Sequence, residues 1–210
     1  MTLFIDEQEY CINHFGQNSQ FSDGKSSPQR MYCNETDTTL IWLHHGLPYN
    51  SGSSTSSCVK MFFNADDVME RMIEHGWLGK DYILLIDTGV HFSHHNPITL
   101  ASRLLAIRDM ADKLKQINPD TMIIYRSTSM NRGSSFKTSG LIGSFQQNRL
   151  SEVGVRIFKD SKSVILMDSW DIIESVFDKM HFGDIHPPSD VSEAELSYIF
   201  DLYCYHSNEC

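Results

Sequence analysis

The sequence predicts an α/β fold of three layers, α/β/α, with a mostly parallel sheet between helices. Three observations predict it. Short apolar runs rich in β-branched residues recur along the chain, stretches of helical period separate them, and polar residues follow each run. Apolar runs that do not alternate with polar residues are strands buried on both faces, and helices between such strands are the crossovers of parallel pairs. With 210 residues, 40% of them hydrophobic, the chain is long enough for one compact domain, and 1–210 is read as one.

Leu3 to Phe15 places Phe4, Gln8, Cys11, Ile12 and Phe15 near one helical face, with Asp6, Glu7 and Glu9 in the early turns that favour acids. A first helix is expected there. Gly16 to Asp37 is polar and turn-rich and reads as a surface connection. Thr38 to Leu43 is a short β-rich run entering His44-His45-Gly46-Leu47-Pro48, expected to be a buried strand running into a loop. Ser51 to Ser57 reads as a flexible loop, and Asn64 as the cap of a helix over Ala65 to His75 that stops near Gly76.

Tyr82 to Asp87 is the second apolar run and turns at Thr88-Gly89. From Pro97 to Ile117, the residues Leu100, Leu104, Ile107, Ala111 and Leu114 fall on one helical face, and Asn118-Pro119 stops the helix. Met122 to Tyr125 is a third strand, Phe145 to Phe158 a helix, Ser163 to Asp168 a fourth strand, and Ser192 to Cys204 the last helix. The polar residues after the strands, His44-His45-Gly46, Asp87-Thr88-Gly89, Arg126-Ser127-Thr128 and Asp168-Ser169-Trp170, then gather at one sheet edge. Ligands of open α/β sheets bind at the carboxyl ends of the strands.

A formal charge of −10 argues against a nucleic-acid partner, which calls for a basic surface that displaces counterions. No segment approaches the roughly 18 consecutive apolar residues that span a bilayer, and Met1 to Tyr10 carries acids rather than the apolar core of a signal peptide. Cys11, Cys33, Cys58, Cys204 and Cys210 are widely and irregularly spaced. They fit either reduced thiols or two disulfides with an odd cysteine in an oxidising compartment, and they do not form a paired zinc motif. Asn34-Glu35-Thr36 is a glycosylation acceptor that matters only in the secretory pathway.

The sharpest local feature is His186, which follows Gly183-Asp184-Ile185 and precedes Pro187-Pro188. Two prolines hold His186 on a stiff extended segment, which suits a general base, although a plain loop histidine ahead of a helix fits the local sequence as well. His91, His94 and His95 have the spacing of imidazole ligands but no carboxylate or cysteine beside them, so neither a metal nor a cofactor is expected. Arg126 has the chemistry to pair with an acidic sugar, and also that of a structural ion-pair partner. Asp168 and Trp170 read as turn-fixing and core-filling residues.

Trp42-x-x-His45-Gly46-Leu47-Pro48, Asp87-Thr88-Gly89-x-His91-Phe92, Met167-Asp168-Ser169-Trp170 and Ile185-His186-Pro187-Pro188, followed by a helix ending at Cys204, occur here in order. In order and spacing together they resemble the C-terminal domain of the neurexophilin and PC-esterase (NXPE) family, over residues 38–204. The resemblance implies an SGNH-hydrolase-like fold in secreted or Golgi-lumenal proteins. It also implies a relation to esterases and acyltransferases that act on glycan or glycoprotein acyl groups.

Carried over by position, His186 takes the catalytic histidine's place and Asp184 becomes its orienter, one residue nearer than the family pattern, in which Gly183 replaces the usual aspartate. Asp87, Thr88 and Gly89 fall at the oxyanion position; His91, His45 and Arg126 are expected around the substrate because the strand ends they follow converge there. No G-D-S nucleophile block occurs in the chain, so it is expected to lack the first, nucleophile-bearing strand and to be inactive as given. The alternative reading is a secreted glycoprotein domain that binds a protein or glycan without turnover.

Overall fold

The computed structural model describes residues 29–33, 38–42, 72–74, 76–87, 96–128, 144–176 and 189–207. They fall in two compact units, residues 1–68 and 69–210. In the first unit, β1 (Gln29–Cys33) and β2 (Thr38–Trp42) form an antiparallel pair with Gln29 opposite Trp42 and Cys33 opposite Thr38. This corrects two expectations. Gln29–Cys33 is a strand rather than part of a surface connection, and the Thr38 run pairs with it instead of joining the parallel sheet. The run is rich in β-formers, and a short connection between two such segments makes a hairpin the nearest available partner.

The second unit is an α/β structure. Its sheet has the order β3-β4-β5, with β3 (Ile83–Asp87), β4 (Met122–Arg126) and β5 (Ile165–Met167) all parallel. The central strand is β4, whose first four residues, Met122 to Tyr125, are buried, as expected of a parallel strand covered on both faces. Ahead of β3, Gly76 adopts φ 66° and ends a helical turn at Met72–Glu74. Trp77 N–H donates to the Met72 carbonyl at 2.8 Å and Gly76 N–H to that of Ile73 at 3.2 Å, a Schellman stop that uses the left-handed glycine.

Helix α1 (Pro97–Ile117) begins at Asn96, whose side chain accepts a hydrogen bond from Ile98 N–H at 3.0 Å, while Pro97 occupies the first turn, where no donor is needed. Leu100, Leu104, Ile107, Met110, Ala111 and Leu114 are its buried stripe, which is the predicted face with Met110 added. It packs against α2 (Ser144–Phe158). Tyr125 of β4 lies on the same side, stacked on Phe158 with ring centroids 4.4 Å apart. Gly154 lets α2 approach it: a Cβ at that position would stand 2.6 Å from the tyrosine oxygen.

A short helix α3 (Ser169–Glu174) was not foreseen in the sequence. The final helix α4 (Ser189–Ser207) extends beyond the expected span at both ends. Trp170, Ile173 and Val191 form a buried cluster joining α3 to α4. Tyr125 and its neighbour Arg126 point to opposite faces of β4, the first toward α2 and the second to Glu195 of α4. Helices therefore cover both faces of the sheet, which makes this unit three layers deep. No described helix is long and apolar enough to cross a membrane.

Candidate functional site

The carboxyl ends of the three parallel strands bring three of the expected polar segments together. Asp87 and Arg126 are the last residues of β3 and β4 and are register partners. Arg126 Nη1 donates to Asp87 Oδ2 at 3.0 Å. From the helix side, Glu195 Oε2 accepts from Arg126 Nη2 at 2.7 Å and from Nε at 3.3 Å. One guanidinium thus joins two adjacent strand ends to α4.

Little water reaches this trio. The side chains of Arg126, Asp87 and Glu195 are only 12%, 17% and 7% exposed. Burial pushes the Asp87 carboxyl above its ordinary value, Arg126 opposes that rise, and the charge of Glu195 adds to it. Burial also works against the charge on Arg126, but Asp87 and Glu195 outweigh it and hold the guanidinium more firmly protonated than usual. Arg126 thus serves two carboxylates of the protein itself.

The neighbouring strand end is tied by a second network. Ser127 N–H donates to the Met167 carbonyl at 2.9 Å, which extends the β4–β5 pairing beyond the strand. The Ser127 hydroxyl donates to Asp168 Oδ1 at 2.9 Å, and the same oxygen accepts from Trp170 N–H at 3.2 Å as the cap of α3. Ser127, Thr128 and Ser169 are buried, and Trp170 is packed against α4, in keeping with the turn-fixing and core-filling roles read for Asp168 and Trp170. The described part of the edge is held by paired charges and by the Asp168 cap.

Among the sequence-derived site residues, Asp87 and Arg126 are therefore side by side. Thr88, Gly89, His91, Asp184 and His186 lie outside the described residues, as do His45, His94 and His95. Glu195 and Ser127 were not singled out as site residues in the sequence. The signal for Glu195 was nevertheless present: it stands between Val191 and Ile199 at helical spacing, a charged residue in a stripe that is otherwise buried and apolar. Such a charge calls for a buried partner. Among the described residues no group of three histidine, cysteine or carboxylate side chains is placed to hold a metal ion. Cys204, on α4, is disulfide-bonded.

No curated protein and no solved structure matches the chain. The family described as "NXPE family member 4-like, C-terminal domain" matches residues 6–204, nearly the whole length. With its α/β architecture and that match, the chain belongs to the NXPE family, as a C-terminal domain of the member 4-like type.

Proposed function

We propose that this domain belongs to the chemistry of glycan acyl esters, and that the carboxyl edge of its parallel sheet is where the ligand is held. The observation that carries the reading is the Arg126 guanidinium fixing Asp87 and Glu195 at that edge. An acyl-ester site needs its oxyanion donors and its base held within a fraction of an ångström, and a clamp of charge-assisted hydrogen bonds beneath the edge supplies that stiffness.

In this reading His186 is the general base and Asp184 its orienting carboxylate. Asp87, Thr88 and Gly89 serve the oxyanion position, with His45, His91 and Arg126 bordering the substrate. The partner is a glycan or glycoprotein bearing an acyl group, handled in a secreted or Golgi-lumenal setting. The disulfide at Cys204 supports an oxidising compartment.

The 210 residues contain no G-D-S block, and a base without a nucleophile forms no acyl intermediate. On its own this chain is proposed to bind acyl glycans without turning them over. That same observation favours a second reading, a secreted domain that recognises a glycan or protein and has no acyl chemistry at all. The two separate in one experiment. An aryl acetate is given to the 210-residue protein, to a form extended upstream by a strand carrying Gly-Asp-Ser, and to the His186→Ala version of the extended form. The enzyme-related reading expects hydrolysis only in the extended form, with a loss of at least ~100-fold in His186→Ala. Equal rates in the two extended proteins would remove His186 from the chemistry.

A further inference from the structure

One motif of the sequence is used by neither the sheet edge nor its clamp. Asn34-Glu35-Thr36 is the single N-x-S/T triplet among the 210 residues, and Glu35 meets the requirement that the middle residue not be proline. Such triplets arise by chance, so what decides is where the fold puts this one. β1 and β2 pair residue for residue from Gln29–Trp42 to Cys33–Thr38, and the register ends there. Asn34 to Asp37 are therefore the connection of an antiparallel pair; they lie outside the described residues, and the strands on either side fix their place in the path of the chain. An oligosaccharide on a strand residue would stand on one face of the pair and compete with whatever that face packs against. On the connection it interrupts none of the five register pairs. Connections between strands run over protein surfaces, since a buried one would leave backbone polar groups without partners. Asparagine and aspartate, which begin and end this one, are turn residues.

A second, independent observation concerns the compartment. Cys204 is disulfide-bonded, and disulfides persist in oxidising surroundings such as the lumen where asparagine-linked sugars are added. We propose that Asn34 is an N-glycosylation site: once the chain enters the secretory lumen, the connection between β1 and β2 carries its one asparagine-linked oligosaccharide. The donor is an oligosaccharide activated as a lipid-linked diphosphate. The Asn34 amide nitrogen attacks the anomeric carbon, a C–N bond forms and the anomeric C–O bond breaks. The diphosphate leaves with the electron pair of that bond, and the nitrogen gives up one proton. The Thr36 hydroxyl, two residues on, completes the acceptor. The site depends on the lumenal setting of the reading above, and not on its acyl chemistry.

The test expresses the whole 210-residue chain in mammalian cells behind a supplied, cleavable signal peptide, as wild type, Asn34→Gln, Glu35→Pro, Thr36→Ala and Thr36→Ser. Transfer takes place on the entering chain, so gel mobility is read in whole-cell lysates and a variant that later fails to fold is still scored. Cleavage of the signal peptide shows entry. Wild type should show a single mobility step that peptide-N-glycosidase removes, and that enzyme in heavy-oxygen water should leave its mass label at Asn34. Asn34→Gln, Glu35→Pro and Thr36→Ala should lose the step, and Thr36→Ser, which keeps a hydroxyl, should retain it. A cleaved wild-type chain without the step overturns the proposal. So does a step that survives in Asn34→Gln, which would place the sugar elsewhere, as on the N-x-C triplet Asn208-Glu209-Cys210. The supplied signal peptide and the separate aryl acetate assay tell failure of the site apart from failure of the acyl-ester reading.

Discussion

Asp87 and Arg126 face each other across the last rung of the β3–β4 ladder, and their side chains continue the pairing as a 3.0 Å ion pair where the backbone register ends. The third member, Glu195, comes from a helix more than a hundred residues after Asp87 in the chain. Arg126 thus ties the edge that the family relationship makes interesting to the last helix.

Removing that side chain should be costly. Arg126→Met removes the guanidinium that Asp87 and Glu195 share, and breaking a buried ion pair from one side typically costs ~3–5 kcal/mol. Urea unfolding should show the loss. Arg126→Lys should recover only part of it, because an ammonium lacks the fork that meets Glu195 through Nε and Nη2 and Asp87 through Nη1 together. Full recovery by lysine would show that charge alone, and not fork geometry, holds the trio.

On the opposite face, Gly154→Ala should destabilise the protein by ~1–3 kcal/mol, since the added methyl would lie 2.6 Å from the Tyr125 oxygen and 2.7 Å from Cε1 of its ring. Combining it with Tyr125→Leu tests the cause. The double variant should lose less than the sum of the singles, as measured by a thermal or urea double-mutant cycle.

Asp168→Ala removes an oxygen that serves both the Ser127 hydroxyl and the first turn of α3. A loss of ~1–2 kcal/mol is expected from the cap and the orphaned hydroxyl together. Asp168→Asn retains an acceptor and should cost less. Unfolding midpoints of the two variants check the order.

Asn96→Ala removes the cap of α1 and should cost ~1 kcal/mol, whereas Asn96→Asp should be nearly neutral, since aspartate caps equally well. The difference reads directly in the same unfolding assay.

Much of this architecture is written in local patterns. Leu100, Leu104, Ile107, Ala111 and Leu114 repeat at helical spacing, so α1 could be read from end to end, and the apolar cores of β3 and β4 stand out because both their faces are covered. Asp87 and Arg126 were legible as strand-end residues because each follows such a run directly. Their pairing was less so: a register is a relation between distant segments. Glu195 stands out in the sequence only as a lone acid in an apolar helical stripe; its partner does not, since only the fold brings α4 over the end of β4. Gln29–Cys33 was missed because the surrounding polar, turn-rich residues mask a strand whose main support is its hairpin partner. The six residues of α3 were missed because a helix that short has hardly any period to detect, and it is held by the Asp168 cap and the burial of Trp170 and Ile173.

The central claim is that the carboxyl edge of the parallel sheet receives an acylated glycan, and it can be tested on the 210-residue protein without any turnover. An isotopically labelled sample is titrated with an O-acetylated oligosaccharide and with its deacetylated counterpart while backbone amide shifts are followed. The account predicts that the acetylated form shifts amides around Asp87–Gly89, Arg126–Thr128 and Asp168–Trp170 more strongly than its counterpart does. Shifts confined to other surfaces, or identical responses to both sugars, would contradict it.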